Sequence, residues 1–477
     1  MTLILQANQM YQQGNFKQAE VLYRQLLQVN PQDINALWGL GKVALALDGY
    51  QVAYEVFKKS TSLYTQEPEL WLSLAQACQK LTRFDEAEQA LVNAYRLNKK
   101  NLPSLLALAI FYGEAGETNK AESYLTDILA INAAHVQAFC LLTRLNKLTL
   151  ASELSQLMLR KLTSLKEPLS WHQQMSLHYA FFTLHHQSKD YVQAFDHLQK
   201  ANELQSSTID FSVEEMKPFF SSIISSFDES IIRRHQSPIN AETLIPIFIV
   251  GQPRSGSTLL EQMLIGHQDI SSGGELPFLA GDIAQGIWQL TGKHFPEGAR
   301  LLSQHDCKKL GAHYLKGIQS IAPKAKYIID KMPANYQSIG LIKMLLPQAK
   351  IIHIKRNVMD VSWSIYQNNF AAPEPYFCSL TEIAQYNECY QGVMNHWYSL
   401  IPDFIHTIEY SNLVVNPEDE LTQVLAFCGL QYQSECLAFS NKNRHISTLS
   451  DIQLRSGIKL NQTQAWRPYQ AYLKTIE

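Results

Sequence analysis

Apolar and polar positions recur with a fixed step over the first 140 residues. Ala19, Ala53, Ala87 and Ala121 stand 34 apart, and Phe16, Tyr50 and Phe84 keep the same step, with Thr118 as the fourth member. Asn30, Asn98 and Asn132 follow it too, Tyr64 standing in once. A period of this length predicts pairs of helices stacked into a solenoid. A small alanine lets two helices approach closely, and an aromatic three residues earlier lies on the same helical face and fills the groove beside it. Asn30-Pro31 and Glu67-Pro68 mark turns between periods. Four repeats are clear. Residues 139–170 hold a degenerate fifth, and residues 171–205 a last one, where Tyr191 and Ala194 restore the aromatic–alanine spacing. The predicted array covers residues 1–205. Residues 206–243 carry serine pairs (Ser206-Ser207, Ser221-Ser222, Ser225-Ser226), Pro218 and Pro238, yet keep apolar spacing for one or two helices, which predicts a helical connector.

From residue 244 the pattern changes. Four short apolar runs read as strands: LIPIFIV (244–250), KYIID (326–330), AKIIHIKR (349–356) and FIHTIEY (404–410). Helical patterns separate them at 258–267, 336–346, 358–368 and 381–400. Another helix starts at Asn416-Pro417-Glu418, with a cap, a proline at its first position and acids in the first turn. Strands alternating with helices predict a parallel sheet covered on both faces. Ligands of such sheets bind beyond the carboxyl ends of the strands. Arg254, Lys331, Arg356 and Tyr410 stand at those ends.

Composition narrows the class further. The 477 residues are 46% apolar and 17% charged, with a net charge of −3, which gives no electrostatic case for nucleic acid or membrane binding. No apolar run approaches the roughly 18 residues of a membrane span. The first residues, MTLILQANQMYQQGNF, lack the basic and apolar regions of a secretory signal. The seven cysteines are odd in number, scattered and without a C-x-x-C pair, so reduced thiols and a cytoplasmic location are expected. His178, His185 and His186 lie close together, but no carboxylate or cysteine joins them at ligand spacing, so no metal is expected.

The segment IFIVGQPRSGSTLL (247–260) carries the clearest chemistry. A strand, a glycine-containing loop and a helix start together make an anion site, because backbone N–H groups converge there and the helix dipole adds positive charge. Arg254 adds a planar charged fork, and Ser255, Ser257 and Thr258 add hydroxyls around Gly256. A standard nucleotide-triphosphate loop needs lysine after its last glycine. Gly251 and Gly256 have that spacing, but Ser257 stands at the lysine position, which disfavours a nucleotide triphosphatase.

The repeats GNFKQAEVLYRQLLQVNP (14–31) and TRFDEAEQALVNAYRLN (82–98) resemble tetratricopeptide repeats. Residues 245–475, about half the chain, resemble the sulfotransferases that use 3′-phosphoadenosine-5′-phosphosulfate, above all the tyrosylprotein enzymes and bacterial repeat-containing sulfotransferases. PRSGSTL looks like the family's 5′-phosphosulfate loop. Glu275, 21 residues after Arg254, matches the catalytic base. Lys331 in DKMP, 25 residues before Arg356, matches the catalytic lysine. Arg356 and Ser364, eight apart, look like the 3′-phosphate pair, and Tyr410 like a cofactor-contacting tyrosine. Ser450, 16 residues before Trp466, matches a transition-state serine. Two positions depart from the tyrosylprotein pattern: Asn368 replaces an arginine, and Ala465 precedes Trp466 where lysine is expected, with Arg467 following.

The resemblance implies an all-α tetratricopeptide solenoid followed by a P-loop-like, three-layer α/β sulfotransferase domain over residues 244–477. It implies 3′-phosphoadenosine-5′-phosphosulfate as co-substrate, without a metal, and transfer of its sulfuryl group to a hydroxyl of a protein tyrosine, a carbohydrate or a smaller metabolite. The array would either offer a concave protein-binding face or only scaffold the other half. Plain structural roles stand beside these assignments: Glu275 as a helix cap, Lys331 as a solvated strand end, Arg356 as a partner of Asp360, Tyr410 as a cover over the core and Ser450 as a loop hydroxyl. A repeat scaffold with a non-catalytic nucleotide-binding domain, or a small-molecule kinase, are the alternative functions.

Overall fold

The computed structural model describes residues 2–164, 169–234, 244–370, 374–438 and 464–476. Two compact units divide the chain after Ser188.

The first unit is built of helix pairs: Leu3–Gln12 with Phe16–Val29, Ile34–Ala46 with Tyr50–Leu63, Pro68–Lys80 with Phe84–Leu97, and Leu102–Ala115 with Thr118–Ile131. Ala19, Ala53, Ala87 and Ala121 are fully buried, as close helix approach requires. Glycine serves the same purpose one helix further on. A Cβ on Gly39 would lie 2.3 Å from the Tyr23 ring, and one on Gly41 would lie 2.4 Å from the Phe57 ring. Asp33 and Asn101 cap their helices by accepting from Ala36 N and Ser104 N, each at 2.8 Å. The degenerate stretch holds Val136–Arg144 and Glu153–Leu162, and the unit ends with Trp171–Gln187. No described helix is long and apolar enough to cross a membrane.

The helix Tyr191–Ser206, placed with the repeats by its sequence, clusters with the second unit. Phe195 stacks on Tyr472 with centroids 4.0 Å apart, and Asn202 Nδ2 donates to the Tyr366 carbonyl at 3.1 Å. The next helix, Val213–Ser226, lies along Leu380–Leu400, with Phe220 edge-on to Tyr386 at 5.6 Å.

The second unit is a five-stranded parallel sheet: β1 (Ile245–Gly251), β2 (Ile270–Ser272), β3 (Tyr327–Asp330), β4 (Lys350–Lys355) and β5 (Ile405–Glu409), in the order β2-β3-β1-β4-β5. The four runs read from the sequence form β1, β3, β4 and β5. The sequence reading missed β2, whose three residues, Ile-Ser-Ser, are too few to show an apolar pattern. On one face Ile247, Ile249, Ile352, Ile354 and Ile408 pack under helices Ser257–Leu264 and Pro417–Cys428. On the other face Phe248 meets Tyr314 of helix Gln304–Ile321 at 5.6 Å. The chain lays β2 and β3 on one side of β1 and then crosses to lay β4 and β5 on the other. Such a reversal opens a crevice at the carboxyl ends of the central strands.

His353 sits in the middle of β4, 1% exposed, with its two ring nitrogens against the hydroxyls of Tyr390 and Tyr398. Burial disfavours the imidazolium and lowers its pKa to about 3. The folded pKa lies below the unfolded value, so the stability that neutral His353 contributes is present above about pH 6.5 and is lost as pH falls toward the folded pKa. Between pH 7 and pH 5 the wild type is expected to lose about 2 kcal/mol more folding free energy than His353→Gln. Urea unfolding at both pH values checks this; parallel losses would show that His353 is not held neutral.

Candidate active site

The anion loop follows β1 directly. Arg254 has φ +66° and Gly256 φ +107°, so the backbone curls back before helix Ser257–Leu264 begins. Glycine at 256 is needed twice over: the positive φ disfavours a side chain, and a Cβ there would lie 2.3 Å from the Tyr410 ring. Ser255, Ser257 and Thr258 are all buried. Ser255 Oγ has no hydrogen-bond partner among the described residues, as expected of a donor kept for a ligand.

Arg254, Ser364, Arg356 and Tyr410 come together beside this loop. Arg254 Nε donates to Ser364 Oγ at 3.0 Å, and Arg356 donates through one terminal nitrogen to the Arg254 carbonyl at 2.9 Å. The Arg356 guanidinium lies 4.6 Å from the centre of the Tyr410 ring, a cation–π contact. Tyr410 is the first residue of helix Tyr410–Val415, one past β5. Ser364 lies in helix Val358–Tyr366, started by Asn357, whose side chain accepts from Met359 N and Asp360 N. Asp360 accepts the Gln464 backbone N–H at 2.6 Å. At the departing position, Asn368 Nδ2 donates to the Ser364 carbonyl at 2.7 Å. Arg254, expected to face the 5′ end of the co-substrate, thus reaches the Ser364 side. A cleft of about 230 Å³ opens here, lined by Gln252, Ser255, Arg356, Val358, Tyr390 and Asn395 among others.

Glu275 and Lys331 form the second cluster. Lys331 Nζ meets Glu275 Oε1 at 2.5 Å; the lysine side chain is 5% exposed and the glutamate side chain 50%. Lys331 is therefore not a solvated strand end. It follows β3, and Glu275 lies in the turn after β2. Two backbone bonds join them: Gly273 N to Ile329 O and Lys331 N to Gly274 O, both 2.8 Å. Ser272 fastens the same turn, accepting from Gly274 N at 2.9 Å and donating to Glu261 on the helix after the anion loop. The β3 and β4 ends flank β1, so the two clusters are about 10 Å apart by strand spacing. Ser450 lies outside the described residues.

Sequence reasoning missed the buried residues that hold these groups. Glu261 is 5% exposed, and Gln252, Asn387 and Ser362 form a buried chain of side-chain hydrogen bonds under the loop. The available signal was polar residues inside otherwise apolar helical runs.

Residues 246–434 match the sulfotransferase family, so the C-terminal half carries a sulfotransferase-family domain. Residues 12–94 match the family of anaphase-promoting complex, cyclosome, subunit 3; this match falls within the helical, tetratricopeptide-like repeats. An uncharacterized protein of Aquifex aeolicus (strain VF5) is 33% identical over 308 residues, covering 62% of this chain and 40% of the relative. Protein-tyrosine sulfotransferase 2 of Gallus gallus is 23% identical over 195 residues, covering 40% of this chain and 53% of the relative. The chain thus spans about half, or less, of the length of these relatives. The sulfotransferase domain of the Synechococcus PCC 7002 olefin synthase aligns at 24% identity over 49% of this chain and 89% of that domain, with a TM-score of 0.35.

Proposed function

We propose that the protein transfers a sulfuryl group from 3′-phosphoadenosine-5′-phosphosulfate to a hydroxyl acceptor. The observation that carries the reading is the pairing of a buried lysine with a half-exposed glutamate one strand away from a serine-rich anion loop, in a domain of the sulfotransferase family. The loop N–H groups and Ser255 hold the 5′-phosphosulfate. Arg356 and Ser364 hold the 3′-phosphate, and Arg254, bonded to Ser364, ties the two subsites together. Tyr410 supports the Arg356 guanidinium from below.

In the transfer the acceptor oxygen forms a bond to sulfur, and the bond from sulfur to the bridging phosphate oxygen breaks. Glu275 takes the acceptor proton. The Lys331 ammonium moves from Glu275 to the departing oxygen and offsets the charge growing there. Such transfers depend on alignment and on charge stabilisation. Ser450 would donate to the same region. The similarity to protein-tyrosine sulfotransferases favours a phenolic hydroxyl as acceptor, and the repeats offer an extended surface for holding a protein that bears it.

Calorimetry tests the donor. Adenosine 3′,5′-bisphosphate should bind far more tightly than ATP; equal or tighter ATP binding would overturn the reading and favour a kinase. In Arg356→Ala, affinity for the bisphosphate should fall by at least about tenfold while that for adenosine 5′-monophosphate changes little, because an arginine–phosphate fork is charge-assisted and specific. Equal losses for both ligands would remove Arg356 from the 3′-phosphate.

A further inference from the structure

We propose that Glu261 is a positioning residue that holds the turn bearing Glu275 against the anion-loop helix, with the Ser272 hydroxyl as the link. The inference rests on the reading of that loop as the donor site and of Glu275 as the base.

Glu261 lies one helical turn beyond Ser257, in the helix Ser257–Leu264 that the anion loop opens. Its neighbours Leu259, Leu260, Met263 and Leu264 belong to the core under the sheet, and Glu261 itself is 5% exposed. A carboxylate in such a place is costly unless hydrogen bonds offset its lost hydration. Ser272, the last residue of β2, donates its hydroxyl to Glu261 Oε1. The same hydroxyl oxygen accepts the Gly274 N–H at 2.9 Å. A serine hydroxyl can rotate until a partner fixes its proton. Here the carboxylate takes the proton, and a lone pair is left facing Gly274. A bond to a charged acceptor is stronger than a neutral one, and it polarises the next bond in the chain.

Gly274 has φ +70°, and its carbonyl accepts from Lys331 N at 2.8 Å. The peptide units on its two sides therefore answer to different elements. The one before it is held through Ser272 by the anion-loop helix, and the one after it by the segment that follows β3. Glu275 comes next in the chain. The bonds to β3 set its distance from Lys331. The bond chain through Ser272 sets its place relative to the helix whose first turn faces the donor. Without Glu261 the turn keeps its lysine but loses its register to the loop.

Ser272→Ala removes the link and leaves the charge, whereas Glu261→Met keeps the length and volume and removes the acceptor. Either change should lower turnover about tenfold and leave affinity for adenosine 3′,5′-bisphosphate within about a factor of two, since small misplacements of a reacting group act on the chemical step. Ser272→Thr, which keeps the hydroxyl, should restore most of the turnover. The double variant should be no slower than the slower single one, because both substitutions break one chain. Hydrogen exchange read by mass spectrometry follows the turn without any turnover. In free Ser272→Ala the Gly274 amide should exchange at least about fivefold faster than in the wild type, while β1 amides stay unchanged. Unchanged exchange at the turn, or losses of turnover that multiply in the double variant, overturns the proposal. Ser272 is only partly buried, so its two variants decide the matter if Glu261→Met does not fold. Exchange needs neither donor nor acceptor, so it reads the link through Ser272 even if Glu275→Gln retains full turnover and the reading of the base fails.

Discussion

Glu275→Gln should lower turnover by about 10²-fold or more while leaving the affinity for adenosine 3′,5′-bisphosphate within about a factor of two. The substitution is nearly isosteric. The glutamate side chain is half exposed, so neutralising it has little effect on folding, and the anion loop after β1 is untouched. What disappears is the proton acceptor. Its loss should appear in kcat with an acceptor of ordinary phenolic pKa, and should shrink with an acidic phenol that is already ionised at the assay pH. That dependence separates a base from a residue that merely holds Lys331. Single-turnover kinetics with acceptors of graded pKa measure it, and near wild-type rates with every acceptor would return Glu275 to a structural role.

Lys331→Met should cost about 10²–10³-fold, the usual loss when one preorganised charge-stabilising donor is removed. Methionine keeps much of the buried volume at this 4%-exposed site, so the fold should survive. The loss should depend on the leaving group, since the ammonium is assigned to the departing oxygen. With a donor whose leaving group is a weaker base than the phosphate, such as 2,4-dinitrophenyl sulfate, the variant should approach the wild type. A deficit that is the same for good and poor leaving groups would place Lys331 elsewhere in the reaction.

The sequence made the architecture legible because both halves carry strong periodic signals. The step from Ala19 to Ala121 reports close helix packing, and the apolar runs ending at Gly251, Asp330 and Lys355 report buried parallel strands. The residues proposed for the site could be placed for a related reason: Lys331, Arg356 and Tyr410 directly follow strands and Arg254 lies in the loop after β1, where the backbone path is short. Residues whose work depends on tertiary approach could not. Nothing local marks Tyr314 as the partner of Asp330, 16 positions away, or Glu261 as the acceptor for Ser272. The three-residue β2 is a strand only because β3 lies beside it.

The helix Tyr191–Ser206 has a practical consequence for taking the protein apart. Its sequence reads as the final repeat, yet its aromatic face is committed to Tyr472 and its Asn202 to the backbone of Tyr366. A fragment cut at residue 206 would lose that cover, leaving Tyr469 and Tyr472 to water and one end of the helix that bears Ser364 without its brace. Cutting at residue 189 would keep them together. The divide between the modules therefore falls one helix earlier than the repeat pattern suggests, and domain exchange among proteins of this layout should graft at that earlier seam.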